Sequence, residues 1–250
     1  MARIGTGPVD NAIAGVGFED IRLEAGAAMD ASIWSWIGAM LSGSPTSKSG
    51  AILMMDGDYS LTHRLEFRDA YISEVTFPQF DGASKDAAFL TIGIAPERTE
   101  FKVAGGAGIP AGGRQKRWQA SNFRLSIPGL PTETVSRVDA FTVRQVFTEE
   151  RGRMVPMDLE YPNMALTLSE VDSGPWFDYF KEFVLNGNPA GEKDWLLESL
   201  APDLSVLFQI GFRNSGIFKC SLEKVDAASD NPARITVEMY VEQMTFESLA

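Results

Sequence analysis

The sequence has very few of the residues that most enzyme sites need. Among its 250 residues there is one histidine, His63, and one cysteine, Cys220. Metal sites built on several histidine or cysteine ligands are therefore excluded, as is an intrachain disulfide. A Cys220–His63 pair is less plausible than a half-buried thiol and an unrelated strand histidine. A Ser–His–Asp triad is not excluded by counting, but the sequence contains no G-x-S-x-G nucleophile elbow.

Long apolar runs and an excess of positive charge are also missing. No stretch approaches the ~20 apolar residues of a membrane span, and residues 1–20 do not have the pattern of a secretory signal. We therefore expect no membrane insertion and synthesis in the cytoplasm without a signal peptide. The net charge of −12 disfavours tight binding to a phosphate backbone. Solubility is the simplest reason for this acidity, and a special role of the charge is the alternative.

The sequence does contain an internal repeat. Residues Phe67–Phe101 align without a gap with Phe212–Phe246 at an offset of 145, and ten of the 35 pairs are identical. Unrelated sequences of average composition would give about two identities. Residues 18–25 match 161–168 at an offset of 143. We infer a duplication.

The repeat predicts two modules joined by a linker. The first module spans 1–102, a Gly/Ala-rich linker spans 103–120, and the second module spans 121–250. Residues 121–150 predict two strands around the turn Pro128–Pro131 and have no counterpart in the first copy. We therefore expect the first module to lack its opening hairpin and residues 1–17 to form an extended arm.

Local patterns predict a mainly β fold with one short helix per module. Apolar residues three and four apart predict a helix over 32–41, with Asp30 or Ser32 as its N-cap, and a second helix follows Ser173. The turn Asp56–Gly57–Asp58 predicts a hairpin within 51–77. Residues 89–101 are predicted as one closing strand.

The remaining candidate sites have simpler structural explanations. Asp56 and Asp58 resemble a calcium ligand pair but suit a hairpin tip better. Gly106-x-Gly108 lacks the helix and lysine of a phosphate loop and is expected to be a spacer. The basic cluster Arg114, Lys116 and Arg117 with Trp118 is expected to be solvated or to face an acidic neighbour, with nucleic-acid contact as the alternative. We predict no catalytic, cofactor-binding or metal-binding residue.

The order of these elements resembles the phage tail tube family, which includes inner tubes of contractile injection systems and, more distantly, the haemolysin-coregulated protein of type VI secretion. In residues 121–247 the resemblance lies in FRLSIPGLPTETVSRVDAFTVRQV, MALTLSEVDSGPWFDYFKEFV, FQIGFRNSGIFKCSLEKVD and ARITVEMYVEQMTFE. In residues 18–101 it lies in DIRLEAGAAMDASIWSWI, GAILMMDGDYSLTHRLEFRDAYISEVTFPQFDG and AAFLTIGIAPERTEF. Ordinary tube subunits have one module, whereas this chain has two.

The resemblance implies a β-barrel or sandwich fold and a structural, non-enzymatic role. We expect a ring around a central channel, either a hexamer or a trimer with pseudo-six-fold symmetry. It would contact other tube, sheath or baseplate proteins and let DNA or cargo pass without specific binding. Its place would be a virion tail or an extracellular or cytoplasmic injection particle, as a tube-to-baseplate adaptor or as the major tube subunit. A secreted ring that carries cargo is the rival, and an enzyme is the most distant alternative.

Overall fold

A computed structural model describes residues 2–6, 13–26, 29–106, 118–188, 191–223 and 233–249. It is mostly β, with one main helix in each half of the chain, so the predicted fold class is confirmed. No helix among the described residues is long and apolar enough to span a membrane.

The first half, residues 2–106, alternates short strands with one longer strand. Helix α1 begins after Asp30, whose carboxylate accepts a hydrogen bond from the Ser32 backbone N–H at 2.8 Å, as the sequence predicted. The elements are β1 (Ala2–Thr6), β2 (Ile13–Phe18), β3 (Ile21–Ala25), α1 (Ala31–Leu41), β4 (Lys48–Met55), β5 (Leu61–Phe77), β6 (Phe80–Asp81), β7 (Leu90–Ala95) and β8 (Arg98–Val103).

The second half, residues 118–249, repeats the order of β3, α1, β4, β5, β7 and β8 and has additional strands ahead of it. Its main helix is followed directly by a π-helical turn, Lys181–Leu185. The elements are β9 (Phe123–Ser126), β10 (Val135–Val138), β11 (Phe141–Glu150), β12 (Arg153–Glu160), β13 (Met164–Ser169), a 3-10 turn (Glu170–Asp172), α2 (Gly174–Phe180), β14 (Lys193–Leu200), β15 (Val206–Leu222), β16 (Arg234–Tyr240) and β17 (Gln243–Ser248).

Each half is built around a strand of 17 residues, β5 or β15. The first part of β5 pairs with β4 and β8, and its last part pairs with β7. In the same way, β15 pairs with β14 and β17 and then with β16. The change of partners occurs near Asp69 and Asn214, which both have φ 48° and are 145 positions apart. Asp and Asn tolerate this left-handed conformation better than most residues, so the long strand can bend there.

Three predictions about the strands were wrong. The described residues of the predicted arm, 2–6 and 13–17, are not extended singly, because β1 and β2 pair with each other as antiparallel strands ahead of β3. The two strands around Pro128–Pro131 do not form a hairpin, since β9 pairs with β14 and β10 pairs with β13. Residues 89–101 contain two strands, β7 and β8, separated at Pro96. Proline has no N–H for a strand ladder, and the two strands pair with different parts of β5.

The hairpin that was predicted at Asp56–Gly57–Asp58 is confirmed between β4 and β5. Asp56 Oδ1 accepts hydrogen bonds from the backbone N–H groups of Asp58 and Ser60, at 3.0 and 2.9 Å. These hydrogen bonds close the turn, so the Asp56 carboxylate has a structural role there.

One hydrophobic core runs through both halves. Its fully buried members include Ile37 and Phe77 from the first half and Phe208 and Met239 from the second. The described parts of 1–102 and 121–250 are therefore packed together and do not form separate cores.

Candidate assembly interface

The two halves are joined by pairing between their sheets. Strand β11 of the second half lies antiparallel to the end of β5, with Phe141 opposite Phe77 and Arg144 opposite Glu74. The rings of Phe77 and Phe141 stack with centroids 4.9 Å apart. The hydroxyls of Thr76 and Thr142 share a hydrogen bond of 2.8 Å on the opposite face of the pair. Strand β12 continues this sheet beyond β11.

Helix α1 strengthens the same joint by packing across it. The indole of Trp34 lies against Phe208 of β15 and Phe246 of β17, at centroid distances of 5.6 and 5.7 Å. Phe77 contacts the same two rings at 6.1 and 6.2 Å. Aromatic pairs of this kind are worth about 0.5–1.5 kcal/mol each beyond the area they bury. The joint therefore combines a sheet pairing with an aromatic cluster.

The end of the predicted linker also belongs to this joint. Trp118 is buried, and its indole N–H donates a 2.7 Å hydrogen bond to the Ser199 hydroxyl. Its backbone carbonyl accepts from Ala88 N–H of the first half. The expectation of a solvated Trp118 in a basic cluster was wrong, because the indole fills the core between the halves. Arg114, Lys116 and Arg117 lie outside the described residues, as does Gly108 of the predicted spacer.

In the second half, the helical residues that correspond to this contact surface of α1 are exposed among the described residues. At the repeat offset of 143, Phe177 of α2 corresponds to Trp34 and Val184 to Leu41. Trp34 and Leu41 are 4% and 1% exposed, whereas Phe177 and Val184 are 38% and 39% exposed. Trp176 at the start of α2 is buried, and its N–H donates to the Pro131 carbonyl. One face of α2 is thus packed, and the face that corresponds to the joint is open.

The long strand of the second half has an open edge where β5 is covered. Residues 216–222 of β15 pair with β16 on one side, and within the described part of the chain no strand pairs with the other side. Leu222 corresponds to Phe77 at an offset of 145; Phe77 is fully buried, and Leu222 is 61% exposed. Cys220 corresponds to the buried Val75.

The structure separates the residues that the sequence considered as a catalytic pair. His63 stacks on Phe101 at 5.1 Å in the first half, while Cys220 lies on β15. Burial raises the pKa of the Cys220 thiol to about 11, which disfavours the reactive thiolate. No cluster of three or more potential metal ligands occurs among the described residues.

A groove of about 870 Å³ lies beside β14, β15 and β17. Its carboxylates are already paired: Asp194 accepts from Arg213 at 2.7 Å, and Glu247 accepts from Gln209. The hydrogen bond from Arg213 holds the pKa of Asp194 below its usual range. These groups form a surface network and do not converge on a common point in the groove.

The comparisons with known proteins gave one family-model match and several similar solved structures. Residues 11–100 match the family model of the T4-like virus tail tube protein gp19. None of the curated proteins matches the chain in sequence. A solved structure of the anti-feeding prophage baseplate is 10% identical and covers 56% of this chain and 99% of its own, with a TM-score of 0.42.

Two further solved structures are similar over about half of the chain. One is a sheath–tube complex of an extracellular contractile injection system, at 15% identity, 51% coverage of this chain, 89% of its own and a TM-score of 0.42. The other is Hcp1 from Flavobacterium johnsoniae, at 16% identity, 51% and 95% coverage and a TM-score of 0.38. The resemblance to the tail tube family that the sequence predicted is confirmed by the family model, which matches residues 11–100.

Proposed function

We propose that this protein is a structural, non-enzymatic subunit of a phage tail or of a tail-like contractile injection system, where it forms a ring of the inner tube. The observation that carries the proposal is the edge-to-edge joint between β5 and β11, within a chain whose residues 11–100 match a tail tube family. That joint continues one sheet from one half of the chain into the other. A sheet that continues by equivalent joints forms a wall of repeated units, as a tube requires.

The distribution of exposed apolar residues supports a role in assembly. Phe177, Val184 and Leu222 of the second half are exposed, and Phe101 of the first half is 58% exposed. Large apolar residues grouped at surfaces of this kind favour contact with other proteins. The pairing of the groove carboxylates supports the non-enzymatic part of the proposal. Asp194 and Glu247 both accept hydrogen bonds from neighbouring side chains, so neither is positioned as a general acid or base for a ligand in the groove.

Within the particle, we place the protein at the ring where the tube meets the baseplate. Two fused halves suit this position because a three-fold arrangement of such chains can match a six-fold tube above and a three-fold partner below. Membership of the repeating tube is the alternative. Sheath, tube and baseplate proteins are the partners that either position implies, and the channel would pass DNA or cargo without binding it specifically.

Electron microscopy of the purified full chain tests the ring. We expect annular particles with a central channel, or stacks of them. Particles without a channel at every concentration examined would contradict the proposal. Counting copies in purified tail-like particles then separates the two positions, since one ring per particle supports the baseplate junction and many stacked rings support the tube. A ring that co-purifies with a bound toxin would instead favour a cargo carrier.

A further inference from the structure

The joint inside the chain has an open counterpart in each half of the molecule. The joint consists of four surfaces: the edge of β5 and the outer face of α1 from the first half, and the β11–β12 hairpin and the β17 face from the second half. The counterparts of the first pair are the edge of β15 and the outer face of α2. The counterparts of the second pair are the β1–β2 hairpin and the β8 face.

The hairpin β1–β2 is the part of this set that most requires a partner. It forms a sheet of two strands and pairs with no other strand in the described part of the chain. An isolated two-stranded hairpin is at best marginally stable in water. It lies directly ahead of β3, just as β11–β12 lies directly ahead of β13. In the second half, the first strand of that hairpin, β11, pairs with β5 of the first half.

The aromatic cluster of the joint is also present in separated form. Phe208 and Phe246, which receive Trp34, correspond to His63 and Phe101 at an offset of 145. His63 and Phe101 stack on each other, and Phe101 is exposed. The exposed Phe177 of α2 is the counterpart of Trp34, so the two parts of a second cluster are exposed in different halves of one chain.

We propose that a second copy of this chain binds head to tail. Strand β1 of the second copy pairs with the open edge of β15 of the first copy, and Phe177 of the first copy contacts Phe101 and His63 of the second copy. This repeats between chains the joint that exists within the chain, and it gives the proposed ring a defined interface. The contact is heterologous, because each copy uses one surface as donor and the other as acceptor. Such contacts close into rings or continue as filaments.

The hairpin register identifies the residues that would face each other. Ala2 pairs with Phe18, and Phe18 corresponds to Tyr161 at the offset of 143. Continuing the register of Arg144 with Glu160 places Val143 opposite Tyr161, so Ala2 takes the place of Val143. Val143 lies opposite Val75, whose counterpart on the open edge is Cys220. We therefore expect Ala2 of one chain opposite Cys220 of the next.

Mixing two blocked variants tests the direction of the contact. Phe177→Asp places a charge on the α2 surface, and Phe101→Asp places one on the β8 surface. Each variant alone is expected to remain a monomer of 27.3 kDa by light scattering, whereas the wild type forms larger assemblies. An equimolar mixture is expected to give a 1:1 dimer that grows no further, because each variant keeps the one intact surface that the other needs.

Matched controls use two exposed turn residues that are also 145 positions apart. Tyr59 and Leu204 have φ values of 59° and 67°, a conformation that Asp tolerates, and are 62% and 68% exposed. Tyr59→Asp and Leu204→Asp add the same charge at residues that the proposed contact does not use and are expected to assemble like the wild type. Circular dichroism spectra that match the wild type verify that all four variants are folded.

Cross-linking tests the strand pairing independently. Ala2→Cys, oxidised with copper phenanthroline, is expected to give interchain disulfides with the native Cys220 in more than half of the chains. The double variant Ala2→Cys with Cys220→Ser is expected to reduce this product at least tenfold. Assembly of either single Asp variant, the lack of a 1:1 dimer in the mixture, or no dependence of the cross-link on Cys220 would overturn the inference.

The inference rests on the proposed function for its biological meaning but fails separately from it. Wild-type rings seen by microscopy together with a negative mixing experiment would overturn the head-to-tail contact and leave the ring intact. A positive mixing experiment with open filaments and no channel would support the contact and contradict the ring.

Discussion

Phe77 is the residue on which the joint between the two halves most depends, so Phe77→Ala is the most informative stability test. The side chain is fully buried and contacts Phe141, Phe208 and Phe246 at centroid distances between 4.9 and 6.2 Å. Replacement of a buried phenylalanine by alanine costs about 3–5 kcal/mol through lost transfer energy and the cavity that remains. That is a large part of a typical domain stability of about 5–15 kcal/mol.

Leu222→Ala provides the matched control because it changes the equivalent position on the open edge. Leu222 is exposed, so in the monomer this change is expected to alter the free energy of unfolding by no more than about 0.5 kcal/mol. Urea denaturation followed by tryptophan fluorescence and by circular dichroism, at concentrations where light scattering shows a monomer, measures both variants. A loss below about 1 kcal/mol for Phe77→Ala, or an equal loss for Leu222→Ala, would refute the view that the halves share one core.

Three further predictions concern single groups. Trp118→Phe removes the indole N–H that donates a hydrogen bond to the Ser199 hydroxyl. This change is expected to lower the free energy of unfolding by about 1–3 kcal/mol in the same urea assay, and an unchanged urea midpoint would contradict the buried hydrogen bond. The pKa of Asp194 is lowered mainly by Arg213, so its contribution to stability is present above the pKa of the unfolded carboxyl and is lost as pH falls through the lower folded value. The melting-temperature difference between wild type and Asp194→Asn should therefore shrink toward zero under acid conditions, and a difference that grows there would refute this assignment. Alkylation of Cys220 should be slow at pH 8 and accelerate toward pH 11, whereas a rate independent of pH would contradict the raised thiol pKa.

The local elements of the fold could be predicted because their signals lie within a few residues of each other. The Asp30 cap, the apolar face of α1 and the Asp56–Gly57 turn are of this kind, and the structure contains all three. The N-terminal hairpin was missed because residues 1–17 are rich in small residues and show little alternation of apolar and polar positions. Such a segment carries a weak strand signal even where it pairs.

The joint could not be predicted because strand pairing between distant segments is a tertiary property. The alternation in FTVRQVF indicates which face of β11 is buried but not that its edge pairs with β5. Trp118 was misjudged for a related reason, since the basic residues before it suggested a solvated segment. The burial of its indole depends on Phe80 and Phe208, which lie far away in sequence.

The covalent connection between the halves changes how assembly responds to dilution. A joint within one chain forms at an effective concentration that the connecting segment sets, independent of how much protein is present. If the same kind of joint also forms between chains, every second contact around a closed circle is already made before two molecules meet. In a ring of three chains, three contacts between molecules then complete a circle that would need six contacts between single halves, and its abundance would follow the third power of concentration instead of the sixth. A particle component needed in few copies would therefore nucleate at concentrations where unlinked halves remain apart.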